Sequence, residues 1–242
     1  MSDELSDQIA LVTGAGRGIG RATALRLARA GCDLALVSRT ESELREVADE
    51  AGRNGANALV LPADITDDAQ LEALVQRTLV QLGSISILIN NAGYAPPRQT
   101  HGKAAVAAWD RMLATCLRAP MVLSQLVLPD MLTHQSGAII NVASTAGREA
   151  RAGEASYAAA KAGLLAFSRA LFAEVRNSGV KVVAICPGYV DTAFVPPNRR
   201  VDRTKFLRAD DVAEAIVNVL TTPPHACPTE VVLEPQFNPE RT

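Results

Sequence analysis

A tyrosine and a lysine, Tyr157 and Lys161, stand four residues apart in a stretch of small apolar residues. On a helix this spacing places both side chains on one face, one turn apart. Tyrosine in water has a pKa of about 10, too high for a base at neutral pH, and a neighbouring ammonium lowers that value by favouring the phenolate. The pair therefore predicts a general acid and base that exchanges a proton with a bound oxygen atom.

A serine, Ser144, follows the apolar run 138–142, and it precedes Tyr157 by 13 residues. Its hydroxyl can donate a hydrogen bond to a substrate oxygen and stabilise the negative charge that develops there. Taken singly, such residues are usually packing, solvated or turn residues. Their joint spacing, downstream of the glycine-rich loop described next, favours a catalytic set of Ser144, Tyr157 and Lys161.

The glycine-rich segment TGAGRGIG occupies residues 13–20, directly after an apolar run and directly before a helical pattern. Glycines there allow a tight turn and let backbone N–H groups approach a pyrophosphate, while the helix N-terminus favours its negative charge. An ordinary tight turn is the alternative, but this placement predicts a dinucleotide site.

With its TGxxxGxG spacing, this segment resembles the short-chain dehydrogenase/reductase family. Three further segments agree with that family in order: residues 90–93 (NNAG), Ser144 with the Tyr157/Lys161 pair, and Pro187-Gly188. The resemblance extends from Gln8 to about Leu233. It implies hydride transfer between a nicotinamide and a carbonyl or secondary alcohol, as in 3-oxoacyl-[acyl-carrier-protein] reductases, with Tyr157 moving the proton and Lys161 holding the nicotinamide ribose.

The choice of nucleotide is predicted from charge at the end of the second strand. An NAD-selective site places an acidic residue there to bind the ribose hydroxyls. Here Ser38 and Arg39 occupy that place, and Arg39, with Arg17 of the glycine loop, can bind a 2′-phosphate. The alternative is that both arginines are solvated surface residues. We therefore expect NADP(H), with NAD(H) the less favoured cofactor.

The glycine loop, the charge argument and the resemblance together predict a set of cofactor-binding residues. They are Gly14, Gly16, Arg17, Gly18, Ile19, Gly20, Ser38, Arg39, Asp64, Ile65, Asn91, Ala92, Gly93, Tyr157, Lys161, Pro187, Gly188, Val190 and Thr192. The resemblance places Asp64 beside the adenine, and a helix N-cap is its alternative role. It places Thr192 near the nicotinamide amide.

Cys116 departs from the family pattern, because many members carry an asparagine there as the fourth member of a catalytic tetrad. In the family this residue helps to keep a helix kinked, and its main-chain carbonyl holds a water bonded to the lysine in a proton relay. Pro120, four residues later, has no N–H for that carbonyl and crowds it. We expect the proline to preserve the kink and the relay; the alternative is that Cys116 is a small buried hydrophobe in a disabled relay.

Elements that would position these residues alternate along the chain. Short apolar runs predict strands at 9–13, 33–38, 57–61, 85–89, 138–142, 181–185 and 230–233. Helical patterns lie between them at 18–30, 41–53, 67–82, 105–134, 155–177 and 210–220. This order predicts an α/β fold: a single doubly wound Rossmann domain of residues 1–242 with a seven-stranded parallel sheet.

A substrate loop is expected at about residues 188–208. Its basic residues could meet a carboxylate, a phosphopantetheine or an acidic carrier, or could be solvated. They are Arg199, Arg200, Arg203 and Lys205. Long apolar helices at 106–131 and 155–175 resemble those that pair in the family, so we expect a homodimer or homotetramer.

Composition excludes several classes of protein. The chain has 24 basic and 26 acidic residues, so the formal charge of −2 offers no basic stripe to nucleic acid. Four scattered cysteines and three histidines predict neither a disulfide framework nor a metal site. A polar N-terminus and the lack of an unbroken apolar run of about 18 residues predict a cytoplasmic protein without a membrane span.

Two other classes of function stay open at this point. One is a cofactor-binding regulator or scaffold that has lost turnover, with Cys116 as its only hint. The other is a family member that catalyses another reaction, such as epimerisation, through transient hydride transfer, because a fold does not fix a function. The presence of Ser144, Tyr157 and Lys161 argues against the first.

Overall fold

The computed structural model describes residues 5–94, 105–195 and 201–240. Seven strands lie in chain order: β1 (Ile9–Thr13), β2 (Asp33–Ser38), β3 (Ala58–Pro62), β4 (Ile87–Asn90), β5 (Gly137–Val142), β6 (Val180–Pro187) and β7 (Glu230–Leu233). They form one sheet in the order β3-β2-β1-β4-β5-β6-β7, and every neighbouring pair is parallel. The predicted seven-stranded parallel sheet is confirmed.

Helices cover both faces of the sheet. They are α1 (Gly18–Arg29), α2 (Glu41–Gly52), α3 (Asp68–Gln81), α4 (Ala105–Leu113), α5 (Ala119–His134), α6 (Ala155–Val175) and α7 (Ala209–Leu220). One apolar cluster packs α1, α2 and α7 against the sheet, and a second packs α3, α5 and α6 against the opposite face. Because both faces are covered, the strands are mostly apolar, as expected for a doubly wound sheet.

The predicted helix at 105–134 is wrong in one respect, because it is two helices joined by a π-helical segment at Ala114–Arg118. The Ala119 N–H bonds to the Ala114 carbonyl, five residues back rather than four. Pro120 follows at once, and it has no N–H with which to continue the regular α-helical ladder. The interruption lies around Cys116, where the sequence predicted a kink.

One helical stretch, Val106–His134, is long and apolar enough to cross a bilayer by length and composition alone. The stretch contains no unbroken apolar run of about 18 residues, so the sequence predicted no membrane span here. In the structure, Leu123, Val127 and Met131 of this stretch are buried in a core cluster that also contains strand residues. That is how a core helix of a globular α/β protein packs, so the stretch is weak evidence for a membrane span.

A C-terminal tail, residues 234–240, runs beside the predicted substrate loop. The Asp202 N–H donates to the Pro239 carbonyl at 2.8 Å, and Val201 forms an antiparallel bridge with Glu240. Lys205 Nζ also donates to the Asn238 carbonyl at 3.2 Å. The tail therefore holds the C-terminal part of that loop, from Val201 to Lys205, in place. Residues 196–200, which include the predicted Arg199 and Arg200, lie outside the described residues.

Candidate active site

A cavity of about 1190 Å³ opens at the carboxyl ends of β1, β4, β5 and β6. The strand order reverses between β1 and β4, and ligands of doubly wound sheets bind at such switch points. Nineteen of the predicted site residues line it: Gly14, Gly16, Arg17, Gly18, Ile19, Ser38, Arg39, Asp64, Ile65, Asn91, Ala92, Gly93, Ser144, Tyr157, Lys161, Pro187, Gly188, Val190 and Thr192. Gly20 and Cys116 lie behind the wall.

The glycine loop leaves room for a ligand where side chains would fill it. Gly14 and Gly18 adopt φ values of +65° and +57°, which suit glycine. A Cβ on Gly20 would overlap the Gly14 carbonyl oxygen and lie 2.5 Å from Asn91 Nδ2. Helix α1 can therefore start this close to β1 only with glycine at position 20. The N-terminus of α1 then has room for a dinucleotide pyrophosphate.

Thr13, at the end of β1, joins the two strands that flank the switch point. Its Oγ1 donates to the Ile89 carbonyl at 3.2 Å and accepts from the backbone N–H groups of Asn91 and Ala92 at 3.0 and 3.1 Å. Asn91 Nδ2 returns a bond to the Thr13 carbonyl at 2.9 Å. Sequence reasoning gave Thr13 no role, although it is the first residue of the TGxxxGxG motif.

The end of β2 and the loop after β3 form the other end of the cavity. Arg39 is exposed there, as is Arg17 of the glycine loop. Asp64 accepts bonds from the Thr66 backbone N–H at 2.9 Å and the Thr66 hydroxyl at 2.7 Å. These bonds lower the pKa of Asp64, and the nearby charges of Arg39 and Arg111 lower it further.

Asp64 does not cap a helix, so the alternative role considered from the sequence is wrong. The N-cap of α3 is Asp67, whose carboxylate accepts from the N–H groups of Ala69 and Gln70. Asp64 lies three residues earlier and makes a tight turn with Thr66 instead. Its carboxylate therefore lines the cavity and carries negative charge at neutral pH.

Ser144, Tyr157 and Lys161 come together at the opposite end of the cavity. Ser144 follows β5 and caps the short 3-10 helix Thr145–Gly147 by accepting the Ala146 N–H at 3.2 Å. Its side chain is near enough to that of Tyr157 to lower the pKa of the tyrosine. Lys161 is 4% exposed, donates to the Val142 carbonyl at 2.7 Å and lies 5.8 Å from the Tyr157 ring centroid. The predicted helical spacing thus places both residues beside the serine.

The pKa of Tyr157 differs from the sequence-based expectation. Burial raises it above its ordinary value, and the nearby Ser144 side chain only partly opposes this rise. Burial also lowers the pKa of Lys161. Because burial disfavours the charged form of Lys161, its ammonium stabilises the Tyr157 phenolate less. The protein residues alone therefore leave Tyr157 protonated at neutral pH. The residues therefore hold a phenol that is ready to donate.

Cys116 is fully buried in the π-helical segment, next to Met112, Ala160 and Tyr157. Its Sγ accepts the Tyr94 N–H at 3.4 Å and donates to the Tyr94 carbonyl at 3.6 Å. A thiol makes both kinds of bond weakly. Cys116 therefore joins the π-helical segment to the loop after β4, a contact that sequence reasoning missed.

Aromatic side chains form the wall near Tyr157. The rings of Phe194 and Tyr157 lie with centroids 6.0 Å apart, and Tyr94 and Tyr189 also line the cavity. Sequence reasoning missed all three of these other rings: Tyr94 lies in the loop after β4, and Tyr189 and Phe194 lie in the loop after β6. Their positions offered a signal, because each lies within two residues of a predicted site residue: Gly93, Gly188 or Thr192.

Charged groups on this wall and beside it are largely bonded to the protein itself. Arg203 donates to Asp191 Oδ1 at 2.9 Å and to the Val195 carbonyl at 2.7 Å. Arg151 donates to the Tyr189 hydroxyl at 3.0 Å and to Glu240 at 2.6 Å. Arg203, which the sequence suggested for an anionic substrate, therefore stabilises the loop instead.

The short chain dehydrogenase family model matches residues 8–202, most of the chain. This chain is a short-chain dehydrogenase. The predicted resemblance is confirmed, and the protein is an oxidoreductase of this type. Within the described residues of the dehydrogenase, no group of three or more His, Cys, Asp or Glu side chains could hold a metal ion.

Curated relatives match the dehydrogenase along almost their whole length. An uncharacterised oxidoreductase of Staphylococcus aureus strain USA300 is 34% identical over 231 residues, which cover 96% of this chain and 98% of the relative. One from Staphylococcus epidermidis is 34% identical over 232 residues, with 96% and 99% covered. The matched length therefore includes both the glycine loop and helix α6, which carries Tyr157 and Lys161.

Solved structures share the fold of the dehydrogenase. A metagenomic short-chain oxidoreductase in complex with NADP is 30% identical with a TM-score of 0.82, covering 97% of this chain and 100% of that one. Levodione reductase is 29% identical with a TM-score of 0.86, covering 94% and 96%. The cavity therefore lies in a scaffold that other oxidoreductases use.

Proposed function

We propose that this short-chain dehydrogenase is an NADP(H)-dependent enzyme that interconverts a carbonyl and a secondary alcohol. The observation that carries the proposal is the grouping of Ser144, Tyr157 and buried Lys161 in one cavity with the glycine loop. Arg17 and Arg39 at the far end supply the charge for a 2′-phosphate, and a similar oxidoreductase was solved with NADP.

The bound nicotinamide supplies the hydride in reduction and accepts it in oxidation. Tyr157 donates its phenolic proton to the carbonyl oxygen in reduction and takes it back in oxidation. Ser144 donates a hydrogen bond to the same oxygen and stabilises its developing charge. Lys161 favours the phenolate that remains on Tyr157, and in this family it also holds the nicotinamide ribose.

The proton that leaves Tyr157 must be replaced from solvent. We propose that Lys161 takes part in this relay and that the π-helical segment keeps the Cys116 carbonyl available to it. Support comes from Pro120, which removes the N–H that would bond to this carbonyl in a regular helix. The two thiol bonds to Tyr94 hold the segment in place where an asparagine amide does so in other members.

A small ketone or a 3-oxoacyl thioester is the proposed substrate. Aromatic rings at Tyr94, Tyr189 and Phe194 favour an apolar body around the reacting carbonyl. Arg203 and Lys205 are bonded to the protein, which leaves less cationic charge for an acidic carrier. This balance favours the small ketone of the two.

An assay of NADPH consumption with a panel of small ketones, 3-oxoacyl thioesters, aldehydes and hydroxy acids tests the proposal. NADPH turnover with a ketone, absent from the Tyr157→Phe protein, is the expected result. Tight NADPH binding without turnover on any compound would contradict the proposal and favour a regulator or scaffold. If the protein oxidised NADH but not NADPH, the nucleotide assignment would be refuted.

We also propose that the chain folds as one domain and assembles as a homodimer or homotetramer in the cytoplasm. Met121 and Leu132 of α5 and Leu113 of α4 are about 40% exposed (41%, 38% and 40%), an apolar surface that a second copy would cover. Light scattering after gel filtration measures the mass, and a monomer at micromolar concentration would disprove the assembly.

A further inference from the structure

Glu43 is an acidic residue in the cavity that the proposed function does not use. It belongs to the first turn of α2 and lines the cavity with Arg17, Ser38 and Arg39. Thr40 and Glu43 have the spacing of a capping box, in which the glutamate accepts the N-cap N–H. Here that N–H donates to Ser38 Oγ at 3.3 Å, and the Thr40 side chain makes no cap bond.

Instead of capping α2, Glu43 packs against the glycine loop. A Cβ on Gly16 would lie 2.7 Å from Glu43 Oε2, 2.9 Å from Glu43 Cβ and 3.3 Å from Ser38 Oγ. Real Cβ atoms essentially never approach this closely, so glycine at position 16 is what lets the glutamate lie there. The carboxylate is thereby held between the glycine loop and the end of β2.

Arg17 only weakly neutralises this carboxylate. Its Nη1 lies 4.0 Å from Glu43 Oε1, and the two side chains are 73% and 35% exposed. Ion pairs this exposed contribute little, because water screens them and the arginine loses side-chain freedom. Negative charge therefore persists on the wall between Arg17 and Arg39, where the 2′-phosphate of NADP(H) is proposed to bind.

We propose that Glu43 is a specificity-determining residue that weakens binding of the 2′-phosphate by direct repulsion, and so narrows the preference for NADP(H) over NAD(H). This inference rests on the proposed nucleotide site. Like charges in one partly desolvated site oppose each other, and selectivity is commonly set by such a repulsive group as well as by attractive ones. Two arginines attract the phosphate, and one carboxylate limits that attraction.

Calorimetric binding of nucleotide fragments tests the inference without substrate or turnover. Adenosine 2′,5′-bisphosphate carries the 2′-phosphate, and 5′-AMP lacks it. We expect Glu43→Gln, which keeps the shape and removes the charge, to tighten bisphosphate binding roughly fivefold or more at low salt. Binding of 5′-AMP is expected to change less than about twofold.

A matched control is Glu46→Gln, because Glu46 is an exposed glutamate of the same helix outside the cavity wall. It removes the same charge and should leave both affinities unchanged. The Glu43→Gln gain should also shrink at an ionic strength of about 0.5 M, where the Debye length is only a few ångströms. Equal gains from both variants, or a gain that salt does not reduce, would overturn the inference.

Arg17→Ala separates direct repulsion from an effect exerted through the arginine. Since the Arg17–Glu43 pair is weak, the Glu43→Gln gain should persist in the Arg17→Ala background. Loss of the gain there, or weaker bisphosphate binding by Glu43→Gln alone, would show that the glutamate acts by holding Arg17.

The wild-type protein tests the proposed nucleotide separately. Tighter binding of 5′-AMP than of the bisphosphate would refute the NADP(H) assignment. The role of Glu43 would still be decided by how Glu43→Gln changes bisphosphate affinity. Failure of the NADP(H) assignment is therefore distinguishable from failure of the Glu43 inference. Thermal melts of each variant confirm that the fold is retained.

Discussion

Substituting Gly20 with alanine should damage both the fold and the nucleotide site. The added Cβ would lie 2.5 Å from Asn91 Nδ2 and 2.7 Å from the Gly14 carbonyl carbon, and would overlap its oxygen. The obstacle is backbone at the start of α1, so the helix must move away from β1. Overpacking of this kind costs about 1–3 kcal/mol, and a fixed backbone obstacle favours the upper end.

A loss of about 3 kcal/mol lowers the melting temperature of a domain of this size by roughly 6–12 °C. Because Asn91 bonds to Thr13 and Gly14, the displaced loop should also lose its order around the pyrophosphate. We expect NADPH binding to weaken about tenfold or more. Differential scanning fluorimetry and calorimetric titration with NADPH measure the two effects.

Gly52→Ala is the matched control, because Gly52 is also helical and has no atom within 4 Å of its added Cβ. It should leave the melting temperature equal or slightly higher, since alanine favours helix. If Gly20→Ala melted with the wild type and bound NADPH equally well, the close packing of α1 on the glycine loop would not be what shapes the site.

Tyr157→Phe should lower turnover by at least about 10²-fold while NADPH still binds, since only the proton donor is lost. Steady-state kinetics measures the turnover and calorimetry measures the binding. Retained turnover would show that Tyr157 is not the proton donor. Arg39→Ala should weaken NADPH more than NADH, and equal losses in kcat/KM for both would refute a 2′-phosphate contact. Cys116→Asn should change turnover by less than about a hundredfold, because Pro120 already interrupts the helix; a larger increase would refute that compensation. Burial raises the pKa of Tyr157, so reduction, which needs the phenol, should persist into alkaline pH, whereas oxidation, which needs the phenolate, should rise with pH. pH profiles of kcat in the two directions test this, and a reduction rate that falls through neutral pH would contradict it.

Features that depend on neighbouring residues were predictable from the sequence. The apolar runs at β1 and β2 correctly predicted these strands, because parallel strands are buried on both faces. Helical spacing placed Tyr157 over Lys161, and the glycine loop lies where its strand-to-helix position required. These arguments need no knowledge of distant contacts.

Features that depend on tertiary contacts were not predictable. Periodicity across residues 105–134 is helical throughout, so it does not reveal the π-helical segment, although Pro120 marks its place. Glu43 faces Gly16 only because α2 packs beside the glycine loop. The raised pKa of Tyr157 follows from its burial, and the four-residue spacing between Tyr157 and Lys161 does not reveal that burial.

The C-terminal tail has a practical consequence for handling the protein. Glu240 pairs with Arg151 on the cavity wall, and Pro239 bonds to the loop at Asp202. A purification tag fused at the C-terminus is therefore expected to strain these bonds next to Arg151 of the cavity wall. A tag at the N-terminus avoids that contact, and kinetic constants measured with a C-terminal tag should be compared with those of cleaved protein.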